Sequence, residues 1–346
     1  MVLKDGRSYV FSDDPVNTQF LAIMYFCVGC IALFCNLLNV CIFISLQRHT
    51  KKYKLFIALE IGEIVNGIAY ISTGAGRYGT LLSGVIFDSI TTFGCFIYRP
   101  WCVFLLMGTQ IPAALIMISV VERLTAVFQP ATYQKVWDDA FKTKAILGVC
   151  LFELISLLLA AGSSYNETLE NSTSHCPATA CVSPLYGNFH FFFTVLTFSI
   201  SFISLAIVFI SKRKMICSKG GHGYFLSTMM LTGLCVIVMG FPAVASLANA
   251  WNISQTEDVF FGVSVCMPGL ISLATTLANG LFHKEYRKKL IKVYSSRIRR
   301  KVRLNMDEGS FKDKATAIPT PRIVSAQRKG TTTTSVSPST QVGPIG

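Results

Sequence analysis

Charged residues are scarce in this sequence of 346 residues. Lysine, arginine, aspartate and glutamate make up 14% of it, whereas a globular protein carries roughly 25% charged residues. Hydrophobic residues make up 52%. So few charges cannot cover the surface of a water-soluble fold, but helices that face lipid need none. The scarcity excludes an ordinary soluble protein and predicts an all-α membrane protein.

Histidine is rare as well, and its five residues are scattered along the chain. An intramembrane zinc hydrolase needs about three clustered protein ligands for its metal. The scattered histidines therefore exclude this class of enzyme, and we predict no bound metal and no cofactor. A phosphate-cradling loop is missing too, so we do not expect an enzyme. The histidines are His49, His175, His190, His222 and His283.

Long apolar runs, in contrast, are abundant. A helix that crosses a hydrocarbon core of about 30 Å needs about twenty apolar residues. Seven runs of this kind predict a seven-transmembrane helix bundle over residues 20–282. Residues 81–97 are also apolar, but they contain Asp88, and too short a turn separates them from the third run. We interpret them as a loop with the ends of its neighbouring helices. The seven runs are 20–46, 55–75, 96–121, 145–163, 187–210, 224–248 and 259–282.

The basic residues lie almost entirely on one side of the predicted spans. Twenty-seven of the thirty-one lysines and arginines fall in three loops and in the C-terminal segment. Because basic loops are typical of the cytoplasmic side, residues 1–19 are predicted to be extracellular. Three acceptor sequences for N-glycosylation, at Asn166, Asn171 and Asn252, all fall in loops that this rule places outside. The three basic loops are 46–55, 122–144 and 211–223.

The segment after the last span is strongly basic. Apolar residues recur there at helical spacing, at Phe282, Tyr286 and Leu290, among lysines and arginines. This pattern predicts a basic amphipathic eighth helix over residues 283–303, lying on the anionic inner leaflet of a lipid membrane. A nucleic-acid partner is excluded because seven spans precede the segment. Residues 304–346 are rich in serine and threonine, and we expect them to be disordered and to be phosphorylated by a kinase.

Several residues inside the predicted spans carry groups that lipid does not tolerate without a partner. Arg123 lies at the lipid–water boundary of the third span, where an arginine must pair or reach toward water. Its neighbour Glu122 is the local partner that we expect, and release of that partner would make the pair a switch. Glu63 of the second span is predicted to face the bundle near Asn36 of the first. Pro242 removes a backbone hydrogen bond from the sixth span and predicts a kink there.

These residues occur along the chain at positions that match known signature motifs. The sequence resembles the rhodopsin-like G-protein-coupled receptors over about residues 20–294. Its third span ends in Glu122 and Arg123, similar to the Asp/Glu-Arg-Tyr motif of that family. Two departures, Gly240 in place of a tryptophan and Thr275 in place of an asparagine, resemble nematode serpentine chemoreceptors. The other matching positions are Asn36, Glu63, Pro130, Pro242 and residues 282–287.

The resemblance implies a receptor of the plasma membrane, located in sensory cilia if it is chemosensory. It would bind a small molecule or a peptide on its outer face. Through Glu122 and Arg123 on its inner face it would activate a heterotrimeric G protein. Asn36 and Glu63 would form a buried polar site for a cation, and arrestin and a kinase would act on the tail. The alternative class, a membrane transporter or ligand-gated channel, is disfavoured by the external N-terminus and the lack of an internal repeat.

A disulfide bond between the outer end of the third span and the loop after the fourth is also implied by the resemblance. Cys95 is the expected member in the third span, with Cys102 as the alternative, and the loop offers Cys181 or Cys176. Residues that contact the ligand are predicted only from their depth in the outer halves of the spans. They are Thr109, Gln110, His190, Asn249 and Met267.

Overall fold

The computed structural model describes most of the chain up to residue 295, and this part is almost entirely helical. All described residues except Ser295 belong to one unit, Met1–Tyr294. The described residues are 15–47, 53–165, 170–171, 175–177, 181–218, 228–230, 232–238, 240–241, 258–292 and 295. The helices are α1 (Pro15–Gln47), α2 (Lys54–Leu82), α3 (Thr92–Tyr98), α4 (Pro100–Phe128), α5 (Pro130–Val136), α6 (Asp139–Tyr165), α7 (Pro184–Ser218), α8 (Thr228–Val238), α9 (Asp258–Cys266), α10 (Ile271–Phe282) and α11 (284–292).

Short elements complete the fold. Two 3-10 turns, Val85–Phe87 and Met267–Leu270, follow α2 and α9. The strands β1 (Ile90–Thr91) and β2 (Glu170–Asn171) pair antiparallel, with Ile90 opposite Asn171. This two-residue ladder joins the loop after α2 to the loop after α6, so both loops meet at the same end of the bundle.

Six helical segments among the described residues are long and apolar enough to cross a membrane. An α-helix suits lipid because it satisfies its own backbone hydrogen bonds. The fold is therefore that expected of an all-α, multi-pass membrane protein. The predicted sixth span lies only partly within the described residues, which there include the apolar helix α8. The count of seven, the external N-terminus and a membrane-bound eighth helix stay predictions. The six segments are Pro15–Gln47, Lys54–Leu82, Pro100–Phe128, Asp139–Tyr165, Pro184–Ser211 and Gly262–Phe282.

The bundle buries polar side chains next to its apolar core, while many large apolar side chains lie on its outside. Asn36, Asn39 and Ser272 are completely buried, and Glu60 is 1% exposed. Water-soluble proteins bury apolar side chains preferentially, whereas lipid tails solvate such side chains on the outside of a bundle. The arrangement therefore supports a lipid environment. Large apolar side chains that face outward include Leu158, Leu159, Phe192, Ile207 and Leu281.

The connection from α2 to α4 contains more structure than a simple loop. α2 ends at Leu82, and Gly84 follows with a φ of 75°, a left-handed conformation that glycine adopts without strain at helix ends. After β1, the seven-residue helix α3 precedes α4. Pro100 occupies the first turn of α4, where its missing N–H is not needed. Residues 81–97 thus form no additional span, and the third long helix begins at residue 100 rather than 96.

Glycines allow α1 and α2 to approach each other closely. A Cβ atom placed on Gly29 of α1 would lie 2.6 Å from the backbone nitrogen of Ile71. On α2, a Cβ atom on Gly74 would lie 2.5 Å from the carbonyl oxygen of Ala22, and Gly67 faces α1 in the same way two turns earlier. In lipid the hydrophobic effect does not drive helices together. Helix pairs are stabilised instead by van der Waals contacts, which small residues increase by letting the backbones approach closely.

Candidate functional site

Two charged residues near the end of α4 are buried. Glu122 is 8% exposed and Arg123 is 7% exposed. Glu122 Oε1 lies 2.5 Å from Nζ of Lys142, near the start of α6. The same oxygen accepts a hydrogen bond of 3.4 Å from the hydroxyl of Tyr133 in α5. These contacts join α4, α5 and α6 at what we call the basic end of the bundle.

Lys142, and not the adjacent Arg123, is the ion-pair partner of Glu122. Successive side chains on a helix point in different directions and do not face each other, whereas Lys142 approaches from a neighbouring helix. The local pair that the sequence suggests is therefore not formed. Burial, followed by the charge of Glu122, raises the pKa of Tyr133, so the phenol remains a donor to this carboxylate.

Arg123 lies over an aromatic ring of another helix. Its guanidinium carbon is 5.2 Å from the ring centroid of Phe56 in α2, within the range of a cation–π interaction. Its charge also acts on His283, between α10 and α11. Burial lowers the pKa of His283, Glu285 opposes the change, and Arg123 adds to it. Arg123 therefore lies between α2 and the junction of α10 with α11.

Asn36 and Glu63 both lie beside Ser272 of α10. Nδ2 of Asn36 donates a hydrogen bond of 3.0 Å to Ser272 Oγ, and the Glu63 carboxylate lies near the same hydroxyl. Nδ2 of Asn66 donates to Glu63 Oε2 at 3.4 Å. Carboxylate, amide and hydroxyl oxygens are ligands that hard cations prefer. The cluster is therefore chemically suited to the predicted cation.

A second buried network lies next to this cluster, toward the basic end. Nδ2 of Asn39 donates to Glu60 Oε2 at 2.9 Å and to Thr276 Oγ1 at 3.0 Å. The hydroxyl of Tyr286 in α11 donates to Asn39 Oδ1 at 2.6 Å, and its ring packs against Phe43. Tyr286, which the sequence assigns to the apolar face of an amphipathic helix, is thus completely buried against the bundle.

Three of the five predicted ligand-contacting residues come together between α4, α6 and α7. Thr109 Oγ1 lies 3.1 Å from Nε2 of His190. The adjacent Gln110 makes different contacts: its Oε1 accepts a hydrogen bond of 3.0 Å from Ser156, and its Nε2 donates to the Tyr186 hydroxyl at 3.5 Å. Thr109, Gln110 and His190 were predicted only from their depth in the spans. The packed helices place them in one polar region.

Of the other two predicted ligand-contacting residues, the structure describes only Met267. Its side chain is 42% exposed on the surface of the bundle. Asn249 lies outside the described residues.

Two disulfide bonds define the other end of the bundle, which we call the disulfide end. Cys95 of α3 is joined to Cys176, and Cys102 of α4 is joined to Cys181, with Cα–Cα distances of 5.5 and 6.3 Å. Of the two loop cysteines that the resemblance offered, Cys176 and not Cys181 pairs with Cys95, and Cys102 forms a second bond with Cys181 rather than replacing Cys95. Arg99 interrupts the helical conformation between α3 and α4. Each of the two helices can therefore direct one cysteine toward the loop.

Hydrogen bonds hold the same loop against the helices. Nε of Arg77 donates to the carbonyl oxygen of His175 at 3.1 Å, and Nε1 of Trp101 donates to that of Cys176 at 3.2 Å. The His175 ring lies 3.1 Å from the hydroxyl of Thr18 in α1. Burial, followed by the charge of Arg77, lowers the pKa of His175 to about 3, so this ring is neutral at pH 7.

Some predicted features lie outside the described residues. These include Pro242 with its expected kink, and the glycosylation candidates Asn166 and Asn252. Asn171 is described only by its backbone in β2. Residues 296–346, with the expected phosphorylation sites, also lie outside. The kink, the glycosylation and the modified tail stay predictions.

A stripe of buried residues along one face of α6 was not predicted from the sequence. Lys142, Glu153 and Ser156 are buried there, and Lys142 and Ser156 make polar contacts with residues of α4. Their spacing of eleven and three residues places them on one helix face. Val149 and Ala160 complete the stripe. A search for polar residues at helical spacing could have found it.

Comparisons with known proteins identify no family for this chain. No protein-family model matches the sequence, and no curated protein matches it at a significant level.

Proposed function

We propose that the protein is a G-protein-coupled receptor with seven transmembrane helices and an external N-terminus. The observation that carries the proposal is the buried Glu122 and Arg123 at the end of α4. Lys142 of α6 holds the carboxylate, and Phe56 of α2 lies under the guanidinium. A pair whose members contact two different helices is rearranged whenever those helices move relative to α4, which is the property that a switch requires.

The chemistry of the pair suits coupling to a protein partner. Movement of α6 away from α4 would break the ion pair of Glu122 with Lys142. Movement of α2 would take Phe56 away from Arg123. A guanidinium group has five N–H donors, and these would then bind carbonyl or carboxylate oxygens of an inserted Gα helix. In this proposal the basic end is cytoplasmic, in agreement with the distribution of lysine and arginine.

The remaining parts of the receptor proposal depend on the family resemblance. The ligand is a small molecule or a peptide that enters from the disulfide end, and the role is chemosensory. The location is the plasma membrane, and sensory cilia in a sensory cell. A kinase and arrestin act on residues 304–346, while α11 contacts the anionic inner leaflet.

The Arg123→Ala variant tests the proposed function. The full chain is expressed in cells, and its proximity to a panel of labelled Gα subunits is measured by resonance energy transfer. We expect a ligand-independent signal with at least one Gα subunit, and its loss in the variant at unchanged surface expression, because the variant lacks the donors that bind Gα.

Lys144→Ala is the matched control, because it removes a cation from an exposed position of α6 near the same end. Its signal should equal that of the unmodified chain. A coupling signal that Arg123→Ala leaves intact would contradict the assigned role of Arg123. Silence across the panel with ion currents in the same cells would favour a channel.

Glycosylation tests the proposed orientation. Replacing Asn166, Asn171 and Asn252 with glutamine should lower the mass of the expressed protein on gels by the mass of its glycans, because all three are proposed to lie outside the cell. Thr168→Ala, Thr173→Ala and Ser254→Ala break the same acceptor sequences without changing asparagine, so this triple variant should show the same shift. An unchanged band in both would contradict an external N-terminus.

A further inference from the structure

Glu153 of α6 is a buried acid whose carboxylate accepts no hydrogen bond from the part of the chain that the structure describes. The residue is 2% exposed, and among the described residues neither of its carboxylate oxygens has a hydrogen-bond partner. It lies fourteen residues from the start of α6 and twelve from its end, which is about 21 and 18 Å along the helix axis. A carboxyl group at this depth is costly in lipid and by default has a functional partner.

His190 of α7 offers a further unused acceptor. The hydroxyl of Thr109 donates to the carbonyl oxygens of Leu105 and Leu106, at 3.0 and 3.1 Å. The 3.1 Å contact between Thr109 and Nε2 of His190 therefore uses the imidazole N–H as the donor. Nδ1 is then the nitrogen with the lone pair. Among the described residues this atom has no hydrogen-bond partner, and the side chain is 5% exposed.

Glu153 and His190 lie at the same depth. The hydroxyl groups of Ser156 and Tyr186 are 2.6 Å apart, and the rings of Phe152 and Phe193 are 5.3 Å apart. These two contacts show that α6 and α7 run antiparallel.

Glu153 therefore lies one turn below the Ser156–Tyr186 hydrogen bond on α6, and His190 lies one turn below it on α7. Glu153 also lies near the Tyr186 hydroxyl. Among the described residues, three buried acceptor atoms without a hydrogen-bond partner thus lie in one region, at the same level of the neighbouring helices α6 and α7.

We propose that this region binds the protonated amine of a small organic molecule, with Glu153 and Nδ1 of His190 as acceptors. An ammonium group supplies up to three N–H donors and the positive charge that a buried carboxylate lacks. As a statement about the ligand of a receptor, the proposal rests on the proposed function. The binding itself does not require a G protein and is measured separately.

The surroundings favour an amine on an apolar, aromatic body. The ring centroids of Phe193 and Phe189 are 5.9 Å apart, and that of Phe189, which is 45% exposed at the outside of the bundle, lies 5.9 Å from that of Tyr186. Aromatic faces attract cations and pack against apolar groups. A lipid ammonium headgroup lies at the membrane surface and does not reach the depth of Glu153. His190 lies six residues into α7, about 9 Å from its first residue, so a small ligand reaches it from the disulfide end.

Binding is tested with the full chain in lipid nanodiscs at pH 7. The probes are butylamine, phenethylamine and tryptamine, each compared with its uncharged alcohol by saturation-transfer NMR titration, with empty nanodiscs subtracted. We expect phenethylamine and tryptamine to bind and their alcohols to bind at least about tenfold more weakly, because charged hydrogen bonds contribute more than neutral ones. Glu153→Gln should weaken amine binding by at least about tenfold and leave alcohol binding unchanged.

Controls separate the site from general attraction of cations. Asp88→Asn removes a carboxylate from the loop at the disulfide end and should leave amine binding unchanged. His190→Phe removes the second acceptor and should weaken it severalfold, whereas His190→Gln should retain part of the affinity. If Glu153→Gln does not fold, the amine–alcohol comparison and the His190 variants still decide the question.

The tripeptide Phe-Gly-Gly carries the same ammonium group and separates the two sources of this chemistry. Weaker binding than phenethylamine supports a small-molecule ligand, and equal binding overturns that assignment. Failure of all three amines to bind the unmodified chain, or equal amine affinity in Glu153→Gln, overturns the proposal. Loss of Gα coupling in cells has no bearing on these measurements, so the two proposals can fail independently.

Discussion

Gly74→Leu is expected to prevent α1 and α2 from packing and to remove the folded protein from the cell surface. A Cβ atom on Gly74 would lie 2.5 Å from the carbonyl oxygen of Ala22 and 2.6 Å from the backbone nitrogen of Phe26. Both atoms belong to the backbone of α1, so no side-chain rotation relieves the clash. Overpacking of this kind typically costs about 1–3 kcal/mol and more where backbone must move. Surface immunostaining and gel filtration of the detergent extract measure the loss.

Gly79→Leu is the matched control on the same helix. Among the described residues, nothing lies within 4 Å of a Cβ atom on Gly79. The variant adds the same side chain to α2 and should reach the surface at the level of the unmodified protein. Equal expression of the Gly74 and Gly79 variants would mean that the close approach of α1 and α2 does not stabilise the fold.

Lys142→Met is expected to lower the free energy of unfolding by about 3–5 kcal/mol, because it leaves a buried carboxylate without its cation. The side chains of Lys142 and Glu122 are only 6% and 10% exposed, so water does not replace the lost partner. Tyr133 contributes one further hydrogen bond, at 3.4 Å, which does not neutralise the charge. Chemical unfolding of the purified protein in mixed micelles measures the difference.

The double variant Glu122→Gln with Lys142→Met should recover most of that loss. It removes both charges, and exchange of a buried ion pair for neutral groups is often close to neutral in stability. A double-mutant cycle would then show a coupling energy well above that of exposed ion pairs, which is about 0–1 kcal/mol. Additive effects of the two substitutions would mean that the ion pair does not stabilise the bundle.

The positions of the long helices were largely predictable from the sequence, because they follow from local composition. The apolar run 20–46 corresponds to α1, and the run 187–210 lies within α7. The observed helices extend beyond the apolar runs, since polar and charged residues continue a helix past the hydrocarbon region. α2 therefore includes Arg77, and α6 begins with Asp139.

The partners of the polar residues were less predictable. The sequence suggested Arg123 as the partner of Glu122, whereas the ion pair that the structure shows joins Glu122 to Lys142 of α6. One disulfide bond was expected among four candidate cysteines, and the structure has two that use all four. Pairings of this kind depend on which helix faces meet and at what depth, and a sequence shows at most which face of a helix is polar, not which residue of another helix it contacts.

The sequence by itself determined the environment of this protein and the approximate limits of its long helices. Twenty apolar residues in a row dictate a helix in lipid, wherever the helix lies in the fold. The tertiary structure alone decided which helix faces meet. Because lipid tails are as apolar as leucine, hydropathy does not mark the buried face of a helix. The hydrogen bond between Tyr286 and Asn39, 247 residues apart, and the shared depth of Glu153 and His190 arise only when the helices are packed.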